Sequence, residues 1–133
     1  MGLSSIALPP MSVARRLALV FVFLWFAIGG VCHFLFMPLF VQIVPPFVPV
    51  PILAVIVSGI FELLGAAGIT IKRTRHMAGI GLALLTIAVT PANVFMLQHA
   101  DRFPDIPVWL LVARLPLQLA LIACILWSTR RTH

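Results

Sequence analysis

The chain has 133 residues, of which 62% are hydrophobic and only 9% charged, with a mean hydropathy of +1.19. Those values lie far outside the range of soluble domains and point to an integral membrane protein. The net charge of +6 could suggest nucleic acid, but the basic residues form short clusters between apolar runs and no basic groove is available, so nucleic acid is excluded as a partner.

The first apolar run, Leu17 to Phe36, follows Arg15 and Arg16. It is long enough to span a bilayer, and no A-x-A pattern follows it, so it reads as a retained helix rather than a cleaved signal. Gly29-Gly30-Val31-Cys32 is a poor lipoprotein site because Val31 stands beside the cysteine. The segment Met37 to Pro51 carries no charge and holds Pro45, Pro46, Pro49 and Pro51. It is expected to run stiff and extended in the membrane interface, with Phe36, Phe40 and Phe47 either roofing the polar residues below or simply lying on the surface.

Three further runs follow, Ile52 to Ile71, Met77 to Leu97 and Val108 to Trp127. Each exceeds the length of a membrane strand and lacks strict alternation, so the fold class is all-α, an integral membrane four-helix bundle forming one domain over residues 1–133. Pro91 and Pro116 interrupt the third and fourth runs and are expected to free the carbonyls of Ile87 and Val112, kinking both helices. Seven of the nine Lys and Arg fall before the first run, between the second and third, or after the fourth, with Arg102 and Arg114 the exceptions. The positive-inside rule then sets both termini in the cytoplasm of a multi-pass protein of the bacterial inner membrane, with residues 37–51 and 98–107 outside.

Polar residues inside the runs are the candidate site. Counted inward from the outer end at the helical rise, His33 lies about 5 Å deep, Asn93 about 6 Å, Arg114 about 9 Å, and Glu62 and Gln118 about 15 Å. All lie in the outer half, and the inner half is almost wholly apolar. Helical spacing groups Ser58 with Glu62, Thr86 with Thr90 and Asn93, and Arg114 with Gln118. An isolated Glu or Arg costs about 2.5–3.5 kcal/mol on insertion scales, so Glu62 and Arg114 are expected to pair. Such a cluster can bind a ligand from outside or can act only as glue between helices. Polarity that stops near the midplane suits an outward-facing pocket better than a channel or transporter.

One histidine and one carboxylate make a poor metal site, and no metal or haem motif is seen. Cys32 and Cys124 should differ in depth by roughly 20 Å, too far for a disulfide.

Five short motifs occur together: Gly29-Gly30 with His33-Phe34, Pro45-Pro46 through Pro51, Ser58-Gly59 with Glu62 and Gly65, Pro91-Ala92-Asn93, and Arg114-Leu115-Pro116-Leu117-Gln118. In combination they resemble the DoxX-like family of small four-helix membrane proteins, in the branch with R-L-P-x-Q. The resemblance implies a membrane subunit or accessory protein tied to a quinone- or thiol-linked redox complex. It implies membrane lipids, a redox-complex partner or a second copy as neighbours, and a quinone or lipid-like ligand. No cysteine motif or soluble catalytic domain accompanies it, so no enzymatic role is carried over. His33, Glu62, Asn93, Arg114 and Gln118 are the candidate ligand-binding residues.

The topology is checked in a Cys32→Ser/Cys124→Ser background with single cysteines at Thr74 or Asp101. A membrane-impermeant maleimide added outside intact cells should label the second and spare the first.

Overall fold

The computed structural model describes residues 10–131 and contains helices, turns and no strand among them. In chain order the helices are α1 (Val13–Leu35), α2 (Met37–Gln42), α3 (Pro51–Thr70), α4 (Arg75–Ala88), α5 (Thr90–Gln98) and α6 (Val108–Thr129). Four units are long and apolar enough to cross a membrane: α1, α3, the joined α4–α5 (Arg75–Gln98) and α6.

Caps explain where the helices exceed the hydrophobic runs. Ser12 Oγ accepts the Arg15 backbone N–H at 3.2 Å, so α1 starts one turn before the apolar stretch. At the same end of the bundle, Arg15 Nε donates to Ser128 O at 2.9 Å, and its guanidinium also reaches Arg130 O. This satisfies carbonyls that the C-terminus of α6 would otherwise leave open. Arg75 Nε does the same for Ile69 O of α3 at 2.8 Å.

The helices form a ring in the order α1, α3, α4, α6, with α1 and α3 sharing the most extensive contact. Along that seam, a Cβ on Gly30 would stand 3.1 Å from Gly59 O and 2.8 Å from Leu63 Cγ. A Cβ on Gly59 would stand 2.9 Å from His33 Cβ. Two glycines therefore let the backbones approach, the usual device where lipid offers no hydrophobic drive for association. The half of the bundle nearest the termini is filled by Val22, Phe26, Ala66, Ile69, Leu82, Ala83, Leu121 and Ile125. A smaller cluster of Met96, Phe103 and Leu111 closes the opposite end. Large apolar side chains such as Leu17, Ile60, Leu64, Leu84 and Leu119 face outward. Trp109 and Trp127 mark the two ends of α6, about 27 Å apart at the helical rise, close to the thickness of a hydrocarbon core.

Two local expectations change. The segment after α1 is not wholly extended: residues 37–42 form α2, because Pro38 sits in the first turn, where proline is tolerated, and the other prolines begin only at Pro45. Residues 43–50 then follow turns and bends rather than a continuous extended path. The two helix prolines also behave differently, since the third unit breaks at Val89 while α6 runs through Pro116.

Gly59→Ala should destabilise the folded chain by about 1–3 kcal/mol through overpacking. Gly81→Ala, where an added Cβ meets nothing within 4 Å, should be neutral or slightly stabilising. Unfolding midpoints in mixed detergent and SDS separate the two.

Candidate functional site

The polar residues of the half of the bundle farther from the termini form two groups rather than one. The first lies on the α1–α3 seam. His33 is in the last turn of α1, and Glu62 faces it from α3, with Oε2 at 3.3 Å from His33 Nε2. The two side chains are 10% and 14% exposed. His33 Nδ1 lies 3.1 Å from both Val55 O and Ser58 Oγ, and Ser58 Oγ donates to Val55 O at 3.1 Å. A carbonyl only accepts, so the arrangement is satisfied when Nδ1 carries a hydrogen and Nε2 is turned to the carboxyl group. Phe40 of α2 covers the imidazole with ring centroids 4.4 Å apart. Gly29 lies under the carboxyl group, where an added Cβ would be 3.5 Å from Glu62 Oε2. Close as it is to the imidazole, Oε2 is buried and makes no aligned hydrogen bond.

The second group joins α4, α5 and α6. Gln118 is buried, accepts from Asn93 Nδ2 at 2.7 Å, and donates to Thr90 Oγ1 at 2.5 Å and to Thr86 O. Thr90 Oγ1 also donates to Thr86 O, at 3.2 Å. Thr86 O is one of the carbonyls left without a backbone donor where α4 stops, so the Gln118 amide patches the break that precedes Pro91. Pro91 then occupies the first turn of α5, a position that suits it. This explains why the third unit breaks cleanly, and it makes Asn93 and Gln118 first of all parts of the helix junction.

Arg114 stands apart from Glu62, contrary to the expected pair. Its Nη1 donates to Met96 Sδ at 3.0 Å, and among the described residues no carboxylate lies within 4.0 Å of it. One physical reason separates the charges, and a second sets the partner that each one meets. α3 and α6 are diagonal in the ring, each packed on α1 and α4 and not extensively on each other. In addition, Cβ atoms tilt toward the helix N-terminus. Glu62 and Arg114 both rise toward the loop end, whereas His33 of α1 and Met96 of α5 descend to meet them. Depth counted along the axes does not predict the pairing.

Two surface grooves flank these groups. One, of about 630 Å³, lies between Pro45, Pro46 and Phe47 of the loop and Pro91, Val94 and Phe95 of α5. The other, of about 560 Å³, runs along α3 and α4 past Phe61, Gly65, Gly81 and Leu85. Both are predominantly apolar, and none of the five candidate residues lines either one. Phe40 thus covers His33 while Phe47 belongs to a groove wall. The cysteines lie toward opposite ends, Cys32 in the last turn of α1 and Cys124 near the C-terminus of α6, and both are free. Among the described residues no three His, Cys, Asp or Glu side chains gather as metal ligands would.

Residues 19–130 match the family described as Domain of unknown function (DUF8561). The chain belongs to that family. No curated protein and no solved structure matches it. The family match spans the four helices and takes in His33, Glu62, Asn93, Arg114 and Gln118, but not Arg15.

Sequence reasoning took Arg15 only as a topology signal and passed over Met96. Arg15 shares a helical face with Val22, Phe26, Gly30 and His33, all buried, and that spacing marks it as an inward residue. Nothing in the sequence marks Met96 as the Arg114 partner.

Gln118→Leu should cost about 1–3 kcal/mol by leaving buried polar groups unpaired. In Pro91→Ala, where the third helix can continue through the junction, the same change should cost less. Equal losses in the two backgrounds, measured by unfolding in detergent, would disprove the patching role.

Proposed function

We propose that this protein is a membrane subunit or accessory protein of a redox complex, and that its His33–Glu62 pair holds the polar head of an amphipathic, quinone-like ligand. The carrying observation is Glu62 Oε2, buried without a hydrogen-bond donor 3.3 Å from His33 Nε2. A buried acceptor left unmade costs about 1–3 kcal/mol, so a ligand hydroxyl donating to it would be favoured. The residues present fit such a head: one carboxyl oxygen to accept, one imidazole nitrogen beside it, and an aromatic ring over the imidazole. A quinone bound there would supply two-electron, two-proton redox chemistry. The chain's own contribution would be to orient the head, to hold a proton at Oε2 or Nε2, and to exclude water with Phe40.

The DoxX-like resemblance supports the redox setting, and the distribution of basic residues supports the bacterial inner membrane with cytoplasmic termini and the site in the outer leaflet. A channel or small transporter finds little support, because the half of the bundle nearest the termini is packed with apolar side chains. A second reading, a structural partner for another membrane protein or a second copy, is favoured by the groove along α3 and α4. There Gly81 is open and a neighbouring helix could approach.

Adding a short-chain quinol, the reduced form that carries the hydroxyl donors, to the full chain in detergent should raise its melting temperature. Glu62→Gln should lose most of that rise while Gln98→Ala keeps it. The same rise in all three proteins, each folded, would remove the His33–Glu62 pair from ligand binding.

A further inference from the structure

We propose that Arg114 is an oxyanion site at the loop end of the bundle, binding a phosphate-class group in the membrane headgroup region. This site is separate from the His33–Glu62 pair and does not depend on the reading of that pair.

A guanidinium offers five N–H donors in a planar fork. Among the described residues Arg114 uses one of them, on the Met96 thioether, which is a weak acceptor. Its neighbour Gln118, one turn away, has both ends of its amide engaged with Asn93, Thr90 and Thr86, and no hydrogen bond joins it to Arg114. The remaining acidic residues at this end, Asp101 and Asp105, are exposed in the 99–107 segment, and among the described residues neither lies within 4.0 Å of a basic side chain. The other nitrogens of Arg114 are not sealed: among the described residues, the one buried side-chain oxygen or nitrogen without a partner is Glu62 Oε2. They therefore keep accessible surface and can be reached by a ligand.

Placement makes the ligand class specific. Arg114 is six residues from the start of α6, so its Cα lies about 9 Å below the loop end. Its side chain tilts toward that end and reaches Met96 in the last turn of α5. A long side chain carried this way brings its charge to the membrane interface. There the abundant group matching a two-pronged donor is the phosphate of a lipid, and a free phosphate of the aqueous phase has the same chemistry. Met96, which takes the Arg114 hydrogen bond, packs in the dry cluster with Phe103 and Leu111, and low local polarity strengthens a charge-assisted bond made there.

The test is native mass spectrometry and thermal unfolding of the full chain in a neutral detergent. The probes are phosphatidylglycerol, diacylglycerol with the same acyl chains, and inorganic phosphate. Wild type should retain phosphatidylglycerol and melt higher with it, and diacylglycerol should do neither. Arg114→Gln should lose the lipid-bound peak, Arg114→Lys should retain a reduced one, and Met96→Leu should retain it in full. Stabilisation by inorganic phosphate that disappears in Arg114→Gln supports the site with a free anion as its occupant. Equal lipid retention in wild type and Arg114→Gln overturns the proposal. If Arg114→Gln does not fold, full retention by Arg114→Lys together with no preference for phosphatidylglycerol over diacylglycerol overturns it as well.

Discussion

The close approach of α1 and α3 at Gly30 and Gly59 is the constraint on which the loop-end half of this bundle depends. In lipid, apolar side chains gain little by leaving their surroundings, so a helix pair holds through fit and through polar contacts. Removing two Cβ atoms brings the backbones near enough for His33 to meet Val55 O, Ser58 and Glu62 together. That seam also fixes which helices are neighbours. Once α1 is clasped to α3, α6 is left to pack on α1 and α4, and the positive charge of Arg114 falls diagonally opposite Glu62.

From this arrangement each polar residue acquires a distinct task. Gln118 and Asn93 hold the junction of α4 and α5, and all their contacts are internal. Arg15 and Arg75 close helix ends on the side of the termini. Glu62 and Arg114 are the two charged candidates, and the described residues leave one lacking a donor and the other lacking a strong acceptor. They are also the two whose burial in an apolar bundle is most costly. The functional argument therefore narrows from a five-residue cluster to two separate places with opposite chemical needs.

How much of this could be read from the sequence follows from what each signal encodes. Run length and composition encode spanning helices directly, and helical spacing correctly grouped Ser58 with Glu62 and Thr86 with Thr90 and Asn93. The Glu62–Arg114 pair failed because depth is a one-dimensional quantity, whereas adjacency in a ring is two-dimensional and side-chain tilt adds a direction. Pro91 and Pro116 are the same residue in similar surroundings, yet only the first sits at a break. The difference lies in Gln118, which donates to Thr86 O from another helix, and no local pattern reports a donor arriving from 32 residues away. Arg15 was legible as a buried residue from its spacing, but its role as a cap for α6 needed the fold.

The central claim, that Glu62 belongs to His33 across the α1–α3 seam and not to Arg114, is tested most directly by two double-mutant cycles on stability in detergent. The pair His33→Ala with Glu62→Ala should show a coupling of about 0.5–3 kcal/mol, the range for residues in contact. The pair Glu62→Ala with Arg114→Ala should be additive within about 0.5 kcal/mol, as for residues that share no partner. Strong coupling between Glu62 and Arg114 together with additivity between Glu62 and His33 would contradict the account.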